Sequence, residues 1–243
     1  MECCSPPPLI SLTIRMNYFV ILHYMNVIIC ISSKYPQPFL YDCIKNIYEK
    51  QIHIHTPENS NYTYAIHVVD SCSDVLDMYE KISQDFPDVV IHMIGNTHYE
   101  YGAWKYILEK YESADIYICI QDSTCIHTYI DLTTVDNTTA YTFHHHSGYN
   151  SHLSIKELGI ENIKNSNLNY APIIHSNFNL AQHSSFIVTK HVLQDIFRHL
   201  TIPPIDKTGS CFCERNFGIY FLVKGIRTID LYRNMSKEHG NRL

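Results

Sequence analysis

Short apolar runs recur along the first half of the chain, and each is followed by an amphipathic segment. The runs predict β-strands at residues 27–31, 64–69, 89–94 and 116–120. The segments between them predict helices from Phe39, from Ser73 or Asp74, and within "HYEYGAWKYILEKY". Because the strands are apolar throughout, both faces of the sheet are expected to be covered. This alternation indicates an α/β fold with a mainly parallel central sheet flanked by helices.

The second half of the chain is less regular, and shorter patterns predict its elements. "SFIVTK" predicts a strand and "HVLQDIFRHL" an amphipathic helix. A further helix is expected from about Cys213 to Val223, and a short strand at residues 227–231. We therefore predict a single domain over residues 25–243. Residues 1–24 are predicted to be an N-terminal extension, because Met25 begins "MNVIICISS", which looks like the first strand of the domain. The run "SPPP" within them cannot form regular structure.

Polar side chains follow three of the predicted strands. They are Ser32 and Ser33, then Asp70 and Ser71, then the triplet Gln121-Asp122-Ser123. In parallel sheets, ligands bind beyond the carboxyl ends of the strands. Ser32, Asp70 and Asp122 are therefore expected to converge on one cleft. The alternative is that each is an ordinary polar residue at a strand end or a helix cap.

Composition and charge narrow the class of protein. The chain has 243 residues, 45% of them hydrophobic, and a net charge of −6, which argues against a nucleic-acid partner. It has nine cysteines, an odd number, and two of them, Cys30 and Cys119, fall within apolar strands. Reduced thiols and a cytoplasmic location are the expectation. Cys211 and Cys213 lack the spacing of a zinc site.

One apolar stretch, "YFVILHYMNVIICI" at residues 18–31, resembles a membrane anchor in composition. His23 and Asn26 interrupt it, and it is shorter than the roughly 18–20 apolar residues that a span needs. We therefore expect no intrinsic membrane span.

The sequence contains no glycine-rich phosphate loop, nucleophile elbow or Walker motif, which argues against kinases and hydrolases.

Four segments occur in an order known from one enzyme family. They are "IICISSKYPQPFLYDCIKNIYEKQI", "IHVVDSCSDVLDMY", "GNTHYEYGAWKYILEKYESADIYICIQDS" and "CERNFGIYFLVKGIRTID", which together span roughly residues 25–232. In this order they resemble the family 2-type glycosyltransferases. The resemblance implies the GT-A, or nucleotide-diphospho-sugar transferase, fold. It also implies a nucleotide-sugar donor such as a UDP-sugar, an acceptor hydroxyl on a glycan or protein, and Mn²⁺ or Mg²⁺.

The resemblance assigns roles to individual residues. The metal motif of the family, Asp-x-Asp after the fourth strand, is replaced here by Gln121-Asp122-Ser123. Asp122 is the expected metal ligand, because a diphosphate supplies further oxygens and Mg²⁺ often needs only one or two carboxylates. Donor contacts are expected from Ser32, Asp70, Gln121 and Asp122.

The late segment of the resemblance supplies the catalytic candidates. Glu214 is the expected general base of an inverting transfer, with Asp206 as its substitute. The alternative for Glu214 is a helix N-terminal glutamate that the helix dipole favours.

Two other features leave alternatives open. Trp104 is expected in the core, since it shares a helix face with Ile107 and Leu108, although a sugar platform is the other interpretation. Histidines are candidates to complete a metal site, namely His144, His145, His146, His175 and His183. Two other functions compete with glycosyl transfer: a catalytically weakened GT-A scaffold or binding protein, and a nucleotidyltransferase.

Overall fold

The computed structural model describes residues 25–144 and 178–238, apart from positions 35, 37, 51–61 and 75, and the single residues 163, 166 and 168. The predicted N-terminal extension, residues 1–24, lies outside the described residues. The strands are β1 Met25–Ser33, β2 Tyr62–Asp70, β3 Val90–His92, β4 Ile116–Gln121, β5 Thr124–Ile126, β6 Thr139–Thr142, β7 Phe186–Thr189, β8 Arg227–Asp230 and β9 Met235–Lys237. The helices are α1 Pro38–Lys50, α2 Asp77–Asp85, α3 Tyr99–Lys110, α4 Lys190–His199 and α5 Lys207–Val223.

Seven strands form the central sheet, in the order β3-β2-β1-β4-β7-β6-β8. The four strands from the first half of the chain are parallel neighbours. β7 is antiparallel to both β4 and β6, while β6 and β8 are parallel. A small second sheet pairs β5 with β9. The predicted fold class is confirmed: an α/β fold with a mainly parallel sheet flanked by helices.

Three of the predicted boundaries that were wrong have a local explanation. β3 is limited to Val90–His92, because the exposed residues that follow it leave the edge of the sheet. α2 begins at Asp77 because the Asp70 carboxylate accepts a hydrogen bond from the Ser73 amide at 2.8 Å, which holds this segment in a turn. α5 begins at Lys207, well before Cys213, because the Asp206 side chain caps the Gly209 amide at 2.7 Å.

Both faces of the sheet are covered by apolar layers. Along β1, Ile28 and Cys30 pack in the layer that contains α3, α4 and α5, whereas Ile29 and Ile31 pack in the layer of α1 and α2. Trp104 of α3 is fully buried, and its indole Nε1 donates to the Ser184 carbonyl at 3.0 Å. The expectation that Trp104 belongs to the core is confirmed.

The seven cysteines among the described residues are all free thiols. Cys30 and Cys119 lie opposite one another on β1 and β4 and are buried. Burial raises the pKa of both thiols. They are therefore core residues and not reactive groups.

Candidate functional site

The carboxyl ends of β1, β2 and β4 bring polar residues together at one edge of the sheet. Ser32 of β1 pairs in register with Gln121 of β4, and Ser33 pairs with Asp70 of β2. The pairing of β1 with β4 extends one residue further, since the Asp122 amide donates to the Ser32 carbonyl at 3.1 Å. Because neighbours in register share a face, Ser32 and Gln121 lie on the α3–α5 side of the sheet, and Asp70 lies on the α1–α2 side.

An open cleft of about 560 Å³ lies at this edge, on the α3–α5 side. Residues from five elements or their ends line it, namely Ser32, Lys34, Ser71, Tyr99, Glu100, Gln121, Asp122 and Lys207. Three of the predicted donor residues, Ser32, Gln121 and Asp122, are thus brought together. The cleft holds two carboxylates and two lysines, so it suits a ligand that is both charged and rich in hydroxyl groups.

Asp70 is not among the residues that line the cleft. It is buried, and its carboxylate accepts hydrogen bonds from Ser73 and from the Tyr79 hydroxyl at 2.6 Å. Burial, together with the hydrogen bond to Asp70, raises the pKa of the Tyr79 phenol. In the structure Asp70 therefore anchors the start of α2 to the end of β2.

Gln121 and Glu100 form the floor of the cleft. The Gln121 amide Nε2 donates to Glu100 Oε1, and the Ser210 hydroxyl of α5 donates to Glu100 Oε2 at 3.2 Å. Among the described residues, the Gln121 carbonyl oxygen has no hydrogen-bond partner although it is buried. A buried acceptor without a partner is costly, so this oxygen is suited to accept a hydrogen bond from a ligand.

A second recess of about 400 Å³ continues from the cleft, and both share Lys34, Ser71 and Tyr99. Asn96 organises this recess: its Nδ2 donates to the Ser71 hydroxyl at 3.1 Å and to the Tyr99 carbonyl at 2.8 Å. A Cβ added to Gly102 would lie 2.0 Å from Asn96 Oδ1, so only glycine permits this arrangement.

Two residues of the recess have a strained backbone. Among the described non-glycine residues, four have positive φ angles, namely Cys72, Tyr99, His183 and Ser184. Cys72 and Tyr99 line the recess, and the amide of His183 contacts the Glu214 carboxylate. Such conformations cost about 1–3 kcal/mol each and cluster at functional sites.

Glu214 lies in the middle of α5 and not at its start. Burial and the neighbouring charge of Glu100 raise its pKa to about 7, against the opposing effects of Arg215, the His183 amide and Lys207. The alternative that Glu214 is a helix N-terminal glutamate is therefore wrong. Asp206 holds that end of the helix as its N-cap, and its side chain is exposed.

No family model and no curated protein matches the sequence. The structure superimposes on the crystal structure of S. aureus TarS with a TM-score of 0.50 and 10% sequence identity. The matched region covers 88% of this chain but only 37% of TarS, so the chain spans little more than a third of that protein. The chain has a GT-A-like fold. At this level of identity the similarity shows the fold alone, and that fold is the one that the sequence resemblance implied.

The GT-A-like fold implies a divalent cation, and the cleft offers few ligands for one. Among the described residues, no three His, Cys, Asp or Glu side chains lie close enough to share an ion. Asp122 lines the cleft, and its Oδ2 accepts from the Ser33 hydroxyl at 3.1 Å. One carboxylate fits Mg²⁺ or Mn²⁺ only if a diphosphate and water supply the other oxygens.

The histidine candidates do not gather at the cleft. His144 Nδ1 lies 3.0 Å from the Thr142 hydroxyl at the end of β6. The ring of His183 packs edge-on against the ring of Phe143. His145, His146 and His175 lie outside the described residues.

No helix among the described residues has the length and hydropathy of a membrane span.

Several residues of the cleft were missed by the sequence analysis. They come from three separate places in the chain and are Lys34, the adjacent pair Tyr99 and Glu100, and Lys207. Their common signal is position, since each stands at the first residues of a helix or directly after a strand that ends at this edge. Charged residues at such positions are common, so this signal becomes specific only when the packing of α3 and α5 is known.

Proposed function

We propose that this chain is a glycosyltransferase that moves a sugar from a nucleotide-diphosphate sugar, with a UDP-sugar as the expected donor, to a hydroxyl group of a glycan or protein acceptor. The observation that carries this proposal is the polar cleft at the carboxyl edge of a GT-A-like sheet. In open α/β sheets this edge is where nucleotide ligands bind.

The residues of the cleft suit the two halves of such a donor. The recess at Asn96 and Tyr99 adjoins the cleft and offers polar backbone and side-chain groups for the nucleoside. The ammonium groups of Lys34 and Lys207 supply positive charge for the diphosphate. Gln121 and Ser32 offer hydrogen bonds to hydroxyl groups at the floor.

Asp122 is the residue that would hold a divalent cation, Mn²⁺ or Mg²⁺. A bound cation would stabilise the negative charge that develops on the departing nucleoside diphosphate. Asp122 contributes an oxygen ligand, and Ser33 fixes the orientation of its carboxylate through the hydrogen bond at 3.1 Å.

Glu214 is the proposed general base of an inverting transfer. The acceptor hydroxyl would give its proton to the Glu214 carboxylate while its oxygen bonds to the anomeric carbon, and the bond to the diphosphate oxygen would break with its electron pair. A pKa of about 7 supports this role, because a general base works best with a pKa near the operating pH. Asp206 is the substitute, although its carboxylate already caps α5.

A donor screen tests the proposal. Nucleoside diphosphate release would be measured with a panel of sugar nucleotides, with and without Mn²⁺, in parallel with thermal unfolding. A donor at 100 times its Kd should stabilise the fold by about 2.7 kcal/mol. Glu214→Gln should bind the donor as the wild type does but lose about 10²–10⁴ in rate.

The outcomes of the screen separate the rival functions. Binding and turnover by the wild-type chain support the transferase. Binding without turnover for every acceptor favours the scaffold function, which the single carboxylate of Gln121-Asp122-Ser123 also motivates. In a parallel assay with a nucleoside triphosphate and a sugar 1-phosphate, release of pyrophosphate would instead identify a nucleotidyltransferase. If no sugar nucleotide shifts the unfolding temperature, the proposed function is wrong.

A further inference from the structure

Glu100 joins three elements at the cleft. It is the second residue of α3, and each of its carboxyl oxygens accepts a hydrogen bond from a different neighbour. Oε1 accepts from the Gln121 amide at the end of β4, and Oε2 accepts from the Ser210 hydroxyl of α5 at 3.2 Å. The side chain therefore fixes how α3, β4 and α5 meet at the floor of the cleft.

The first of these contacts determines how Gln121 faces the cleft. Gln121 is only 7% exposed, so its side-chain amide has little freedom to rotate and little contact with water. Because Nε2 is committed to Glu100, the other end of the amide, Oε1, is the atom left to accept a hydrogen bond. Glu100 therefore sets the amide as an acceptor, the arrangement that suits a sugar or ribose hydroxyl.

The second contact brings Glu100 close to Glu214. Ser210 and Glu214 are four residues apart on α5 and so lie on the same helix face. A carboxylate held by the Ser210 hydroxyl is thus a neighbour of the Glu214 carboxylate, and the two negative charges interact. The other groups that act on Glu214 or respond to its charge come from its own helix and from two adjacent segments, namely Lys207, Cys213, Arg215, the His183 amide and Tyr232.

We propose that Glu100 is a positioning residue of this site, which fixes the Gln121 amide at the end of β4 and places a second negative charge beside Glu214. The catalytic half of this inference rests on the proposed function. A neighbouring carboxylate strengthens the hold of Glu214 on a proton, so Glu214 accepts the proton of the acceptor hydroxyl near neutral pH. Glu100 itself transfers no proton.

A purely structural role makes a different prediction. Glu100 stands in the first turn of α3, where the helix dipole favours an acidic side chain. If that were its whole role, Glu100→Gln would lower stability by the same amount at every pH at which the carboxylate is charged. It would leave the protonation of Glu214 unchanged.

The test compares wild type, Glu100→Gln and Glu100→Asp. Glutamine keeps the size and removes the charge, so the pH at which Glu214 titrates should fall by about one unit. Aspartate keeps the charge and should restore most of the wild-type value. Two readouts follow this pH: the acid limb of the transfer rate, and the pH dependence of urea unfolding, which needs no activity. An unchanged midpoint in Glu100→Gln by the unfolding readout would overturn the proposal.

A measurement by ¹³C NMR covers the case in which Glu100→Gln does not fold. The Glu214 carboxyl signal, assigned from its absence in Glu214→Gln, is titrated in wild type and in Ser210→Ala, which removes the hydroxyl that holds the Glu100 carboxylate at α5. The midpoint should fall in Ser210→Ala, because the charge of Glu100 is no longer held beside Glu214. An unchanged midpoint would contradict the inference. If both stability and NMR show coupling but no donor is turned over, the coupled pair stands and the proposed function fails.

Discussion

Glu214→Gln followed across pH tests the environment of the proposed base most directly. In the folded chain the pKa of Glu214 is raised from 4.5 to about 7, mainly by burial and then by Glu100. The folded state therefore binds this proton more tightly than the unfolded state does. The resulting stability is fully present below pH 4.5, declines as the pH rises, and is lost above pH 7.

The magnitude follows from the two pKa values. A rise from 4.5 to about 7 corresponds to about 3 kcal/mol of differential proton binding. Glu214 is partly buried, and its contact with solvent reduces this value. We expect a loss of about 1–3 kcal/mol from the free energy of unfolding of the wild type between pH 5 and pH 8, in addition to the effects of other groups.

Glutamine isolates the Glu214 contribution, because it resembles the protonated acid and does not titrate. Urea unfolding at pH 5 should give similar free energies for wild type and Glu214→Gln. At pH 8 the variant should be more stable by about 1–3 kcal/mol. Glu109→Gln is a matched control on an exposed face of α3, where substitutions usually change stability by less than about 0.5 kcal/mol. A difference between wild type and Glu214→Gln that is the same at both pH values would refute the reasoning.

Three further predictions concern other parts of the site and the sheet. Asp122→Asn should leave the fold intact and abolish the Mn²⁺-dependent part of donor binding, measured by calorimetry with and without a chelator; unchanged affinity would count against Asp122 as the ligand. Gly102→Ala should destabilise the chain by about 1–3 kcal/mol, because its Cβ would lie 2.0 Å from Asn96 Oδ1; an unchanged urea midpoint would show that the loop adapts. Burial lowers the pKa of both His67 and His92 to about 4. Stability that is present above pH 6.5 is therefore lost as the pH falls towards 4, and His67→Asn should flatten this loss; a wild-type profile in that variant would exclude the histidine pair as its source.

The parts of the fold that depend on local pattern were predictable from the sequence. β1 and β4 are continuous apolar segments that are buried on both faces, so the strands and their parallel pairing followed from hydropathy and order. The antiparallel direction of β7 could not be predicted, because the segment "SFIVTK" does not indicate in which direction its strand runs. The start of α5 was missed because its first turn contains Gly209 and few apolar residues, and only the capping contact of Asp206 marks it.

The site was predictable only where it is built from strand ends. Ser32, Gln121 and Asp122 were found because each directly follows or ends an apolar run, and the structure places them in one cleft. Glu100 and Lys207 belong to it through the packing of α3 and α5 on the sheet, which no local pattern encodes. Asp70 and Asp122 carry the same signal in the sequence, but Asp70 is held by Ser73 and Tyr79 and does not line the cleft.

The charges in the cleft constrain how a donor can bind. Asp122 and Glu100 bring two negative charges, and Lys34 and Lys207 bring two positive ones, so these four side chains nearly balance before any ligand enters. A nucleoside diphosphate adds further negative charge beside the two carboxylates, which is unfavourable in a partly enclosed site. Under the proposed function, a divalent cation at Asp122 would offset this charge. The triplet Gln121-Asp122-Ser123 holds one carboxylate where the family motif has two, so the end of β4 brings one negative charge fewer to the incoming anion. Both features reduce the repulsion between the cleft and a bound diphosphate.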